Sequence, residues 1–120
     1  PARPTPNALR IAYQDDRGTW TSLQVDFVVV SRRDDGSLGA SIVDPHGDHL
    51  ADAKGKLRAL AQFAEDHGDR FVRIVSVAKG SDGTLRALDL LEPAVRQPVR
   101  DFSGAEVTAL YDSEVALPYQ

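Results

Sequence analysis

The fold is decided by a joint between a strand and a helix at residues 39–49, which reads GASIVDPHGDH. The first half is a short apolar strand, and the second half is a loop with two aspartates and two histidines. From His49 to about His67 the period changes to that of a helix with one apolar face. That face comprises Leu50, Ala53, Leu57, Leu60, Ala61 and Ala64. The stretch predicts a strand that ends at polar side chains and returns through an amphipathic helix.

The flanking segments predict strands on both sides of this joint. Residues 71–78 are rich in valine and isoleucine, and we expect them to run parallel to residues 38–43 through a right-handed crossover. Upstream, residues 19–30 read as one extended unit, whose return is set by a hairpin turn at residues 33–36. Residues 9–13 alternate apolar and polar side chains and predict the first strand.

The C-terminal part is less regular. Residues 84–91 predict a strand paired with residues 71–78, and residues 93–102 a short helix or irregular segment, because Pro98 would interrupt a helix. A weak strand is expected at residues 107–111. The predicted order is β-β-β-α-β-β, an α/β fold with a mixed sheet and one main helix packed on it.

Length and composition limit the possible classes. A chain of 120 residues forms one domain, here expected over residues 9–120, and the absence of cysteine excludes thiolate chemistry. The proline-rich residues 1–8 read as a linker or cut point, so we expect a fragment of a larger protein. No apolar run is long enough to span a bilayer, and a cytoplasmic location is expected. The net charge of −4 argues against binding nucleic acid by bulk charge alone.

Two acids on neighbouring strands suggest a metal site. Asp26 lies in one central strand and Asp44 at the end of its expected hairpin partner, so antiparallel pairing would bring the two carboxylates to one side of the sheet. With the backbone carbonyl of Pro45 they form a set of hard oxygen ligands of the kind that Mg²⁺ or Mn²⁺ takes. A metal held there can polarise a phosphoryl oxygen and activate an attacking water.

At this point the residues resemble the core of the PD-(D/E)xK nuclease superfamily. Val25-Asp26 resembles its first half-motif and Asp44-Pro45-His46 its second. More narrowly, residues 25–95 look similar to the C-terminal region of type III, helicase-like restriction subunits, through phrases such as IVDPHG (residues 42–47) and FAEDHGDRF (residues 63–71). The resemblance implies a restriction-endonuclease-like fold, a magnesium-dependent DNA endonuclease of a restriction system, and a helicase or ATPase domain in the same or a partner chain.

The sequence departs from that pattern at one position that matters. His46 stands where the motif has lysine, and a neutral imidazole cannot supply a fixed positive charge. Some families of the superfamily move this lysine onto the following helix, where Lys54 and Lys56 are the candidates. The expected catalytic residues are therefore Asp26, Asp44, His46, Lys54 and Lys56.

Three alternatives remain open. One is a degenerate, non-cleaving module that docks DNA or other subunits. Another is a metallo-β-lactamase-like hydrolase, since Asp44-x-His46-x-Asp48-His49 resembles its metal motif, with only His67 left as a downstream ligand. The last is a solvated surface loop, in which Asp48 caps the helix. Outside the loop, Trp20 is expected to be a partly buried residue at a sheet edge.

Overall fold

The computed structural model describes residues 10–14, 17–24, 27–45, 53–104 and 106–119. Within these ranges the secondary structure is a mixture of strands and helices, with three α-helices and a short 3-10 helix. In chain order the elements are β1 (Arg10–Gln14), β2 (Trp20–Gln24), β3 (Phe27–Arg32), β4 (Leu38–Pro45), α1 (Ala53–His67), a 3-10 helix (Gly68–Arg70), β5 (Phe71–Lys79), β6 (Leu85–Asp89), α2 (Pro93–Asp101), α3 (Thr108–Asp112) and β7 (Leu117–Pro118).

The main sheet has five strands in the order β3-β4-β5-β6-β7. Neighbouring strands are antiparallel except for β4 and β5, which are parallel. This pair is joined through α1, as the change from strand to helix periodicity predicts. The α/β class with a mixed sheet, the β3–β4 hairpin and the parallel β4–β5 pair are therefore confirmed.

The extended unit predicted at residues 19–30 is two strands of different sheets. β2 pairs with β1 in a separate two-stranded sheet, whereas β3 pairs with β4. The β1–β2 hairpin packs against α1, where Tyr13 is buried. The helix thus covers one face of the main sheet and carries the hairpin on its other side, so the expectation of a single sheet is wrong.

Pro98 lies inside α2 instead of ending it. A proline removes one backbone donor from a helix and clashes with the preceding turn, which destabilises an isolated helix. Here Val95 and Val99, four residues apart, are both buried on the face that meets the rest of the core. Tertiary burial of this face outweighs the local cost.

The strand predicted at residues 107–111 is wrong, because this segment forms α3. Val107, Leu110 and Tyr111 are all buried, and their spacing of three and four residues places them on one side of a helical turn. The following strand β7, which pairs with β6, is missing from the sequence-based prediction.

The hydrophobic core lies between the main sheet and the helices. Ile42 of β4, Ile74 of β5 and Leu88 of β6 are fully buried on the helix-covered face, together with Leu57 and Leu60 of α1. Burying a side chain of this size stabilises the fold by about 1.5–3 kcal/mol. Because side chains alternate along a strand, the residues two positions after Ile42 and Ile74 face the same core.

Candidate functional site

The residue two positions after Ile42 is Asp44, near the carboxyl end of β4. Only 4% of its surface is exposed, so its carboxylate is held inside the helix-covered core. It is the one aspartate or glutamate among the buried residues of the described chain. A buried carboxylate is costly unless polar groups surround it, so its neighbours define the candidate site.

Two hydroxyl groups lie at this end of the sheet. Ser76 of β5 is directly opposite Asp44 in the parallel pair, and its Oγ donates to the backbone oxygen of Asp44 at 3.4 Å. The same Oγ lies 2.6 Å from the phenolic oxygen of Tyr111 in α3. Both hydroxyl-bearing residues are fully buried. We refer to Asp44, Ser76 and Tyr111 as the Asp44 cluster.

The position of Tyr111 is fixed by contacts of α3 with β6 and with the turn before it. Arg86 of β6 donates from Nε to the backbone oxygen of Tyr111 at 3.1 Å, and from Nη2 to that of Ala116 at 2.8 Å. Asp112, the next residue, accepts a 2.8 Å hydrogen bond from the backbone nitrogen of Ser81. These bonds hold the short helix over the ends of β5 and β6.

The electrostatics of the cluster favour a neutral tyrosine. Burial raises the pKa of the Tyr111 phenol well above its usual value, the hydrogen bond with Ser76 opposes that shift, and the negative charge of Asp44 adds to it. Tyr111 therefore stays protonated, and because the Ser76 proton goes to the Asp44 backbone oxygen, the phenol can donate its own proton to Ser76 Oγ.

The other predicted site residues are placed as follows. Asp26 and His46 lie outside the described residues, as do Asp48 and His49. Pro45 ends β4 and is exposed. The structure thus places one of the two expected metal-binding carboxylates and the carbonyl-bearing proline next to it.

The two candidate lysines lie in the first turn of α1. Lys54 Nζ donates to the backbone oxygen of Gly104, in the segment after α2, at 3.4 Å. Lys56 is two residues further along and half-buried. Residues two positions apart point to nearly opposite sides of a helix, so the two ammonium groups extend in different directions. Lys54 therefore already has a partner in the α2–α3 connection.

The described residues do not bring His67 to the carboxyl end of β4. His67 ends α1 and packs on Phe63, whose ring in turn contacts Phe71 at the start of β5. Phe71 is level with Ala40 in the sheet, four residues before Asp44. This histidine lies towards the other end of the sheet, away from where the metallo-β-lactamase-like alternative needs a ligand.

The donor atoms around Asp44 are of the type that hard cations bind. A carboxylate, a backbone carbonyl and hydroxyl groups are all oxygen donors, the ligands that Mg²⁺ takes. Among the residues that the structure describes, no group of three histidine, cysteine, aspartate or glutamate side chains is close enough to hold a metal ion. A metal here would therefore need a further ligand from outside the described residues, such as the predicted ligand Asp26.

Sequence reasoning missed Ser76 and Tyr111. Ser76 interrupts an otherwise apolar strand, and a lone hydroxyl in such a strand indicates a buried polar contact. Tyr111 gives no such signal in the sequence, because the pattern of residues 107–111 predicts a strand and the structure forms α3 there. Its role depends on the helical turn that brings the phenol over β5.

Comparison with known proteins identifies a family. The family model described as "YagJ family" matches residues 1–120. Protein YagJ of Escherichia coli (strain K12) is 40% identical over 114 residues, which are 95% of this chain and 45% of that protein. The chain thus spans about half the length of this curated relative. No solved structure matches significantly, and no helix in the described part of the chain is long and apolar enough to cross a membrane. On the full-length family match and this identity, the chain belongs to the YagJ family.

Proposed function

We propose that this chain is a metal-dependent endonuclease-type domain that hydrolyses DNA phosphodiester bonds. The observation that carries the proposal is the buried carboxylate of Asp44 at the carboxyl end of a central strand, where the crossover to a parallel strand begins. Ends of parallel strands are where α/β proteins place their ligands.

The order of elements around Asp44 supports this choice. The hairpin β3–β4, the helix α1 and the parallel strand β5 follow each other in the chain, an order compatible with the restriction-endonuclease-like core that the sequence resembles. In that arrangement the second acid of the motif lies near the end of the second hairpin strand, the position that Asp44 occupies. The additional β1–β2 hairpin and α3 would be features of this chain added to that core.

In the proposed site, Asp26 and Asp44 would hold Mg²⁺ or Mn²⁺ together with the carbonyl of Pro45. The metal would supply a Lewis acid for the phosphoryl group and lower the pKa of an attacking water. His46, Lys54 or Lys56 would orient the water or stabilise the negative charge that develops. Lys54 would have to leave the Gly104 oxygen to do so.

The protein partners of such a domain follow from the same resemblance. A nuclease of this kind would act on DNA brought to it by a helicase or ATPase domain, in the same or a partner chain. The curated relative is more than twice as long as the segment it shares with this chain.

Metal-linked stability tests the proposal. Mg²⁺ or Mn²⁺ at about 100 times its dissociation constant raises the free energy of unfolding by about 2.7 kcal/mol when it binds only the folded state. We expect this shift, and nicking of supercoiled plasmid with Mn²⁺, in the wild type. Asp44→Asn, which keeps the side-chain volume, should abolish both.

Two further variants make the test specific. Asp69→Asn changes an exposed acid in the 3-10 helix and should retain the metal shift and the cleavage. Asp26→Ala should lose both the metal-linked shift and the cleavage. Because it changes the other proposed ligand, it distinguishes loss of metal binding from a weakened fold in Asp44→Asn. A wild type that shows neither a metal-linked shift nor plasmid nicking would refute the nuclease proposal.

A non-catalytic docking module of the same kind of protein is the second candidate. It is favoured by the near-complete burial of Asp44 beside Ser76 and Tyr111, which is also what a purely structural polar cluster would look like. It predicts binding of duplex DNA or of a partner subunit without cleavage, and melting that is independent of Mg²⁺.

A further inference from the structure

A groove runs between the β1–β2 hairpin and the outer side of α1. It consists of two cavities of about 450 and 270 Å³ that share Tyr13, Gln14, Ala59 and Gln62 in their walls. The two cavities therefore adjoin each other along these four residues, and we call them together the α1–hairpin groove. α1 lies between this groove and the main sheet, so the groove is separate from the Asp44 cluster.

One end of the groove is aromatic. The larger cavity is also lined by Trp20, Phe63 and His67, with Asp66 beside them. Trp20 is 68% exposed, so the prediction of a partly buried edge residue is wrong. A large exposed indole in the same cavity as a half-buried phenyl ring offers a flat aromatic molecule a surface on which to stack.

The other end of the groove is basic. The smaller cavity is lined by Arg58 and Arg100, which do not line the larger one. Arg58 and Phe63 are five residues apart on α1, which is about 7.5 Å along the helix axis. The aromatic and basic ends are therefore separated by little more than one helical turn.

We propose that the α1–hairpin groove binds a nucleotide unit, with its base at Trp20 and Phe63 and its phosphate at Arg100. Stacking on aromatic side chains accepts any base, and guanidinium groups bind phosphate oxygens with matched geometry. The carboxylate of Asp66 can accept a hydrogen bond from an amino group on the base edge.

Of the two arginines at the basic end, Arg58 already donates from Nη2 to the backbone oxygen of Phe102 at 2.5 Å, so the phosphate is assigned to Arg100. Arg100 Nη1 bonds Glu65 Oε2 at 2.7 Å, but both side chains are more than a third exposed, and such surface pairs contribute little to stability. Glu65 itself does not line either cavity. A phosphate group in the groove would therefore compete for Arg100 with a single, solvent-screened carboxylate.

The chain contains its own reporter for this proposal. Trp20 is the only tryptophan in the sequence, so all indole fluorescence comes from the aromatic end of the groove. A base stacked on the indole should quench that emission in a saturable way. The probes are adenosine 5′-monophosphate, adenosine, inorganic phosphate and a short single-stranded oligodeoxynucleotide, added to the 120-residue chain.

Variants at the two ends separate base from phosphate binding. Arg100→Gln should weaken adenosine monophosphate roughly tenfold, the value of a lost charge-assisted hydrogen bond, and leave adenosine unchanged. Glu65→Gln releases Arg100 and should tighten the nucleotide. Phe63→Leu should weaken adenosine and its monophosphate by the same factor. Arg73→Gln, which removes an exposed charge outside the groove, is the matched control and should change nothing.

The outcomes are distinct. Saturable quenching by adenosine monophosphate that is lost in Arg100→Gln supports the proposal. If the oligodeoxynucleotide then binds far more tightly than the monophosphate, single-stranded DNA is the source of the nucleotide unit. If the two bind with equal affinity, the ligand is a free nucleotide. Absence of saturable quenching, or equal effects of Arg100→Gln and Arg73→Gln, overturns it. None of these fluorescence measurements depends on metal binding or on DNA cleavage. The nucleotide-binding proposal for the groove and the nuclease proposal for the Asp44 site are therefore tested independently.

Discussion

The Asp44 cluster and the α1–hairpin groove each combine polar and aromatic side chains. The cluster is sealed from solvent, whereas the groove is open to it. Tyr111 and Ser76 are fully buried and bonded to each other, whereas Trp20 is 68% exposed beside a cavity. In the cluster the polar groups meet inside the protein, and the fold depends on their contacts. In the groove they face solvent, and little of the fold depends on them.

The difference shows how one helix separates two kinds of chemistry. The residues of α1 that pack on the sheet include Leu57, Leu60 and Ala64, whereas Arg58, Gln62 and Phe63 line the groove. Substitutions in the cluster should therefore act first on stability, and substitutions in the groove first on binding.

The largest expected effect is the loss of the buried ring. Tyr111→Ala removes a fully buried aromatic side chain and should lower the free energy of unfolding by about 3–5 kcal/mol. Denaturant unfolding followed by circular dichroism measures it. Trp20→Ala is the comparison in the groove and should change stability by only about 0.5 kcal/mol. Equal losses of unfolding free energy in Tyr111→Ala and Trp20→Ala would show that the buried cluster contributes no more to stability than the exposed groove.

A smaller effect isolates the hydroxyl group. Tyr111→Phe keeps the ring but leaves Ser76 Oγ without its 2.6 Å partner, which should cost about 1–3 kcal/mol. Removing both hydroxyls in Tyr111→Phe with Ser76→Ala should cost less than the sum of the two single changes, because the orphaned partner is gone. Strict additivity in this double-mutant cycle would mean that the two hydroxyls are not coupled.

The cluster also predicts loss of stability in alkali. The folded-state pKa of Tyr111 is raised by burial, so its contribution to stability is fully present below about pH 10, the unfolded value, and is lost as the pH rises further. Stability measured from pH 8 upward should therefore fall more steeply in the wild type than in Tyr111→Phe. Ser76→Ala retains the phenol and should keep the steep fall; a flat profile in that variant would contradict this origin.

The smallest expected effect on stability is at the basic end of the groove. Arg100→Gln breaks the ion pair with Glu65, which is largely solvent-screened, and should change the free energy of unfolding by about 0–1 kcal/mol. Thermal melts of this variant and of Glu65→Gln should nearly coincide with the wild type. A large loss would mean that Arg100 serves the fold, and that its availability to a phosphate is overestimated.

How far the sequence predicts this fold differs from segment to segment. The β4–α1–β5 crossover follows from patterns within each segment, since a switch from apolar strand to helical spacing needs no knowledge of distant residues. The β3–β4 hairpin is similarly encoded by its Asp35-Gly36 turn, where Gly36 has a positive φ of 88°. These local signals also placed Asp44 at the end of a strand.

The candidate site was only partly predictable, for a physical reason. Sequence reasoning identified Asp44 but expected its partners to be other charged residues near it in the motif. Among the described residues, Ser76 bonds the backbone oxygen of Asp44 and Tyr111 bonds Ser76, and these residues are 32 or more positions away from Asp44 in the chain. Neutral hydroxyls meet beside a buried acid only when packing brings distant elements together and excludes water, which no local pattern encodes.

The sequence alone therefore determined the α/β class, the crossover and the buried strand that carries Asp44, because hydrophobic periodicity and turn residues act over a few positions. Tertiary structure decided that residues 108–112 form a helix, that β1 and β2 form a separate sheet, and that Trp20 is exposed beside a groove. Each of those outcomes depends on which surface is available to bury a side chain, and that surface exists only after the sheet and α1 have come together.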